Sequence, residues 1–223
     1  MAVHFFTSRY GGGSQAPFAT NNLALHVGDN VNAVLANRNF LQEQFGTICF
    51  MNQRHGSTVA LVEEKTLREP NCDALVTQVA GIYLAVLTAD CIPLLMWDEN
   101  ATCVAAVHVG RAGLQNGIAV KTVEVMKALG SLNISAALGP SICGSCYEVG
   151  EDVFEEVVAL HPSAASRTLK GTPALDLPGA LIDQIEKLGV KSARARDCTA
   201  ESSALYSYRR DGVTGRSAGV IAL

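Results

Sequence analysis

Between residues 74 and 108 the chain carries four strand-length apolar runs in close succession, and this stretch constrains the fold more than any other. The runs span 74–77, 82–88, 92–97 and 102–108, and Asp98-Glu99-Asn100 makes the turn between the last two. They are continuously apolar rather than alternating, which is the pattern of strands covered on both faces. The covering layers must come from the rest of the chain.

The remaining segments supply them. Residues 3–8 are β-prone, and Gly11-Gly12-Gly13-Ser14 makes a loop. Asp29 or Asn30 can cap a helix running to about Phe45, with Val31, Val34, Leu35, Phe40 and Leu41 as its apolar positions. Short strands are expected at 47–51, 58–63, 134–138, 193–197 and 218–222, and helices at 116–129, 151–160 and 178–188. Helices and strands mix without a strict βαβ rhythm, and no repeat or linker interrupts them. The expectation is one α+β domain over residues 1–223, with helices packed on mixed sheets.

Composition narrows the function. The 223 residues are 48% hydrophobic and 17% charged, with a net charge of −4, which is a globular balance. No basic run marks a nucleic-acid footprint, so no nucleic-acid partner is expected. No apolar segment approaches the roughly 20 residues a bilayer span requires, and the start Met1-Ala2-Val3-His4 has no signal-peptide pattern. The seven cysteines, an odd number without a secretion signal, read as reduced thiols in a cytoplasmic protein.

Three metal-ligating residues stand where apolar runs end. The run 47–51 leads into Asn52-Gln53-Arg54-His55-Gly56, 82–88 into Ala89-Asp90-Cys91, and 102–107 into His108-Val109-Gly110. Loops at strand ends are where rigid scaffolds aim functional side chains. One thiolate and two imidazoles suit zinc and leave its fourth position open. Taken by themselves, His55 and His108 also read as turn and strand-end histidines, and Cys91 as a core thiol.

These segments occur in order with Leu138-Gly139-Pro140-Ser141-Ile142, Tyr147-Glu148-Val149-Gly150, Tyr206-Ser207-Tyr208-Arg209-Arg210-Asp211 and Thr214-Gly215-Arg216. Near the N-terminus stand Thr7-Ser8-Arg9-Tyr10-Gly11-Gly12 and Asn22-Leu23. Together the set resembles, over nearly the whole chain, the laccase-domain family, once called multicopper polyphenol oxidases and now purine nucleoside phosphorylases. The resemblance implies mixed β-sheets sandwiched by helices in α/β/β/α-type layers, and a Zn2+ ion held by His55, Cys91 and His108. It also implies phosphorolysis of adenosine, inosine, guanosine and methylthioadenosine, and deamination of adenosine. In one place the chain departs from the pattern: Arg111-Ala112-Gly113 stands where the family usually has Trp-Arg-Gly.

With five histidines in all, the chain cannot furnish a multicopper cluster beside a first copper site, so zinc is expected ahead of copper. Deamination needs a carboxylate to carry the proton, and Asp90 and Glu148 are the candidates. Phosphorolysis needs an anion site, for which Arg9, Arg209, Arg210 and Arg216 offer guanidinium groups, with Arg9 and Arg209 foremost. Purine nucleosides and phosphate are the expected partners, with the protein a monomer or homodimer. Two other readings stay open. One is a thiol oxidoreductase using Cys143 and Cys146 of Cys143-Gly144-Ser145-Cys146. The other is a non-catalytic binding module stabilised by a closed zinc site.

Overall fold

The computed structural model describes residues 2–64 and 68–223. The first half of the chain forms β1 (Val3–Phe6), α1 (Val31–Phe45), β2 (Ile48–Cys49), β3 (Val59–Leu61), β4 (Ala74–Thr77), β5 (Tyr83–Thr88), β6 (Ile92–Asp98) and β7 (Val104–Val109). The second half forms α2 (Arg111–Gln115), α3 (Ile118–Ala128), β8 (Ile134–Leu138), α4 (Glu151–Leu160), β9 (Ala165–Arg167), β10 (Pro173–Leu175), α5 (Leu177–Glu186), β11 (Lys191–Arg194), α6 (Tyr208–Asp211) and β12 (Ser217–Ala222).

Two stacked sheets organise these elements. The smaller runs β1-β12-β5-β2 and the larger β11-β8-β6-β7-β4-β3, while β9 and β10 form a separate pair. Both main sheets are mixed: β2 lies parallel to β5, β3 to β4 and β11 to β8, and the other pairs are antiparallel.

The continuous apolar runs resolve into a period-two division once the layers are known. On β6, Ile92, Leu94 and Met96 face the helices, while Leu95 and Trp97 face the other sheet. On β7, Ala105, Val107 and Val109 join the helix layer, and Val104 and Ala106 the inter-sheet layer. On β5, Leu84 and Val86 lie between the sheets, and Ala85 and Leu87 lie in the outer cluster that includes Leu41 and Phe45 of α1. Leu114, Ile118, Val123, Met126, Val157, Leu181 and Ile185 bring α2 to α5 onto the far face of the larger sheet. The layers are therefore α/β/β/α, as the resemblance implied.

Local chemistry accounts for the helix ends. The Asn30 side chain accepts from the backbone N–H groups of Asn32 and Ala33 and caps α1. The helix expected at 116–129 forms as α3, and Gly117, at φ 70°, separates it from the short α2, which had no counterpart in the sequence reading. The strand expected at 193–197 falls instead at Lys191–Arg194, paired with β8, and β9 and β10 had no counterpart in the sequence reading.

The register brings several strand ends to one edge of the stack. Thr88 of β5 pairs with Ser217 of β12, and Ile92 of β6 pairs with Val109 of β7. The turn between β5 and β6, the end of β7 and the start of β12 meet there.

A candidate metal centre in a cavity

His55, Cys91 and His108 come together at this edge, with their ligand atoms all within 4.8 Å of one another. They arrive on three separate segments: the loop after β2, the turn between β5 and β6, and β7 itself. The two imidazoles meet edge to face with centroids 4.6 Å apart, and the Cys91 sulfur lies 4.0 Å from His55 Nε2.

The loop carrying His55 is built around a buried carboxylate. Asp73, 1% exposed, accepts hydrogen bonds from the backbone N–H groups of Arg54, of His55 at 2.9 Å and of Gly56 at 2.7 Å. These bonds offset the left-handed backbone of His55 (φ 57°), a conformation that costs a non-glycine residue on the order of 1–3 kcal/mol. Asp73 Oδ1 also lies 2.9 Å from His108 Nδ1. That contact directs the His108 proton to Nδ1 and leaves Nε2 for a metal, the usual carboxylate–histidine support of a ligating imidazole. Gln53 fixes the same loop from the other side: its amide donates to the Leu87 carbonyl at 2.8 Å and accepts from the Leu87 N–H at 2.9 Å.

Cys91 sits in the tight turn behind Asp90, whose φ is 93°. Asp90 Oδ1 accepts from the Thr199 hydroxyl at 2.6 Å and Oδ2 from the Arg209 N–H at 2.6 Å, so the turn is pinned by residues more than a hundred positions away. Gly110 completes the packing. A Cβ there would lie 2.9 Å from Cys91 Sγ and 3.3 Å from His55 Cδ2, so only glycine lets the end of β7 pass this close.

Without a metal the centre balances its own charge as a thiolate–imidazolium pair, and a bound ion would take the place of the His108 Nε2 proton. Burial opposes ionisation of Cys91, but His108 and His55 outweigh it and bring the thiol down to about 6. Burial likewise opposes the His108 imidazolium, yet Cys91 and Asp73 raise it to about 9. Burial pushes the Asp73 carboxyl up, and its bonds to His108 and the loop N–H groups pull it below the usual carboxylate range. A thiolate and two imidazoles so arranged make the donor set of a three-ligand zinc site with one position open.

The centre lies in a cavity of about 580 Å³ lined by His26, Gln53, His55, Leu87, Asp90, Cys91, His108, Ile142, Tyr147, Tyr208, Arg209 and Arg216 among others. Arg209 donates to the Glu148 carbonyl at 2.7 Å and lies over the Tyr147 ring, and Arg216 donates to the carbonyls of Thr214 and Gly215. Burial lowers the Arg216 pKa, and burial with the nearby Arg216 charge lowers that of His26.

Of the residues singled out from sequence, Asp90, Arg209, Arg216 and the three ligands line this cavity. Arg9 lies off its wall. It donates to the Ala19 carbonyl, sits over the Tyr206 ring and approaches Asp211 at 3.8 Å. Glu148 is also off the wall and precedes α4, which begins at Glu151; its backbone bridges to Ala174. Arg210 is spent on Asp211 and on the carbonyls of Thr199, Ser202 and Leu205. Arg111, in the altered segment, donates to Gln115 at 3.1 Å. The sequence reading missed Asp73 and His26. A signal for Asp73 existed: an acid placed directly before the strand-length run 74–77 is carried into the core and must find partners there.

Comparisons with known proteins place the whole chain in one family. Residues 3–223 match the family model described as multi-copper polyphenol oxidoreductase laccase. A purine nucleoside phosphorylase of Corynebacterium glutamicum is 43% identical over 226 residues, covering 97% of this chain and 92% of that protein. One from Streptomyces coelicolor is 44% identical, covering 98% and 95%. The crystal structure of Neisseria meningitidis protein NMB0706 superposes with a TM-score of 0.90 at 35% identity, covering 100% of this chain and 94% of that one.

Proposed function

The chain belongs to the family described as multi-copper polyphenol oxidoreductase laccase, and we propose that it is a zinc-dependent purine nucleoside phosphorylase that also deaminates adenosine. The observation that carries this reading is the convergence of His55, Cys91 and His108 with Arg209 and Arg216 on one cavity. Its volume of about 580 Å³ falls within the roughly 300–1,000 Å³ of small-molecule sites. The names of the relatives from Corynebacterium glutamicum and Streptomyces coelicolor support the purine nucleoside class.

His55, Cys91 and His108 would hold the ion. When bound, zinc supplies Lewis acidity and a lowered pKa for water. The histidine inventory favours zinc over a copper cluster: His4 stacks on Trp97 at 4.7 Å, His161 ends α4, and His26 is the one further imidazole on the cavity wall.

In phosphorolysis a phosphate oxygen bonds to the anomeric carbon as the glycosidic bond breaks, and the base departs with the electron pair. Arg209 and Arg216 hold the phosphate, since each has guanidinium donors beyond those given to backbone carbonyls. Arg9, off the wall, keeps the Tyr206 region in place. Ile142 and Tyr147 present apolar and aromatic surface to the base. Asp90 orients the Cys91 turn and stands on the cavity wall, where it can relay a proton during deamination. Glu148 acts through its carbonyl, which positions Arg209. Among the described residues no helix is long and apolar enough to cross a membrane. We place the protein in the cytoplasm, acting on free nucleosides.

The test is product analysis of purified, metal-quantified protein given adenosine with and without phosphate. Adenine and ribose 1-phosphate should appear only with phosphate, inosine should appear without it, and His55→Ala should abolish both. Unchanged turnover in a zinc-free Cys91→Ala protein would sink the proposal.

A further inference from the structure

A second group of metal-ligating side chains stands apart from the His55–Cys91–His108 centre. Cys143, Cys146, Cys198 and Glu201 place three sulfurs and a carboxylate oxygen within 4.8 Å of one another. Two short turns build the cluster. In the first, the N–H groups of Cys146 and Tyr147 donate to the Cys143 carbonyl, which brings Cys143 and Cys146 to one side. In the second, the N–H groups of Glu201 and Ser202 donate to the Cys198 carbonyl, which does the same for Cys198 and Glu201. The turns are joined by the Ser141–Cys198 bridge, by the Thr199 N–H on the Ser141 carbonyl at 3.1 Å, and by the Cys143 N–H on Cys198 Sγ at 3.3 Å. The result is two i,i+3 donor pairs facing each other across a gap. Sequence spacing did not show this, because the second pair lies more than fifty residues from the first.

We propose that Cys143, Cys146, Cys198 and Glu201 form a second, structural zinc site. Tetrahedral zinc with sulfurs at about 2.3 Å and oxygen at about 2.0–2.2 Å needs donors roughly 3.5–3.8 Å apart. The observed separations of 3.3 Å from Cys146 to Glu201 and 3.9 Å from Cys143 to Glu201 bracket that span. All three thiols are free, so no disulfide removes a donor. Zinc takes the place of the thiol protons, which leave to solvent.

Four protein donors close the coordination sphere, so this site braces rather than reacts. It ties the loop bearing Ile142 and Tyr147, both on the cavity wall, to the segment whose Thr199 hydroxyl holds Asp90. This differs from a Cys143–Cys146 redox pair, in which Cys198 and Glu201 would have no part.

The experiment uses the full chain, purified under reducing conditions with zinc and dialysed against a mild chelator. Cys91→Ala should retain about one zinc per chain, and X-ray absorption should give three sulfurs at about 2.3 Å and one oxygen. Adding Cys198→Ser should remove that zinc. Wild type should hold two zinc ions averaging two sulfurs each, a readout that serves even if a variant does not fold. Wild type with a single zinc and one sulfur, folded Cys91→Ala without zinc, or a Cys143–Cys146 disulfide under these conditions would each overturn the proposal.

Discussion

Replacing Asp73 by Asn tests the architecture of the candidate metal centre at its most heavily used atom pair. Asp73 Oδ1 serves the His55 N–H and His108 Nδ1, each at 2.9 Å, and Oδ2 serves the Gly56 N–H at 2.7 Å. An amide has one acceptor where the carboxylate has two. If its nitrogen takes the Oδ2 position, it opposes the Gly56 N–H and leaves a buried donor unpaired, at a cost of about 1–3 kcal/mol. If it takes the Oδ1 position, it donates to His108 Nδ1 and moves the imidazole proton to Nε2, the atom that faces Cys91. Either placement loses a charge-assisted bond worth about 1.5–3 kcal/mol. The metal-free protein should therefore lose about 2–4 kcal/mol in urea unfolding. Zinc affinity, measured by competition with a chelator, should fall about 10–100-fold. Asp98→Asn is the control. Asp98 is equally buried and accepts from the N–H groups of Asn100, Leu132 and Asn133, but it lies at the far turn between β6 and β7. It should lose comparable stability and bind zinc as wild type does. Equal loss of zinc affinity in both variants, or none in Asp73→Asn, would refute the reasoning.

Three further outcomes follow from the same geometry. Gly110→Ala puts a methyl group 2.9 Å from Cys91 Sγ, and overpacking of about 1–3 kcal/mol should weaken zinc binding roughly 5–150-fold while circular dichroism stays native. In metal-free protein, alkylation of Cys91 followed by peptide mass spectrometry should rise with a midpoint near pH 6. The sign is that of a depressed acid: the thiolate exists above about 6, where an ordinary thiol near 9 is still protonated, and it is lost as pH falls through 6. A midpoint near 9 would remove the thiolate–imidazolium pairing. Arg216→Gln should raise the KM for phosphate at least about tenfold with a smaller change in that for nucleoside, since a lost charge-assisted bond is worth about 1.5–3 kcal/mol. Equal effects on both would place Arg216 outside the anion site.

What the sequence reveals of this protein follows the range over which each signal acts. Apolar run length and turn chemistry act over a few residues, and β4 to β8 stand close to where those signals put them. The two-layer stack was implied by resemblance rather than read from pattern, because a strand buried on both faces hides its period of two. Only register and partner layers reveal that Leu94 and Leu95 belong to different cores. The three candidate ligands were legible as strand-end His and Cys, yet nothing local shows that Asp73 lies beneath two of them. Arg9 and Arg216 show the limit most plainly. Both are arginines beside glycine-rich segments, and both stood as phosphate donors. The fold turns Arg9 onto Tyr206 and the Ala19 carbonyl, and turns Arg216 into the cavity. The Cys143–Glu201 cluster makes the same point in reverse. Cys-x-x-Cys read alone suggests a redox pair, but Cys198 and Glu201 arrive from beyond β11 and change the chemistry from two sulfurs to a four-donor set. Long-range pairing decides chemistry here, so the same short motif would predict different functions in folds that bring it different neighbours.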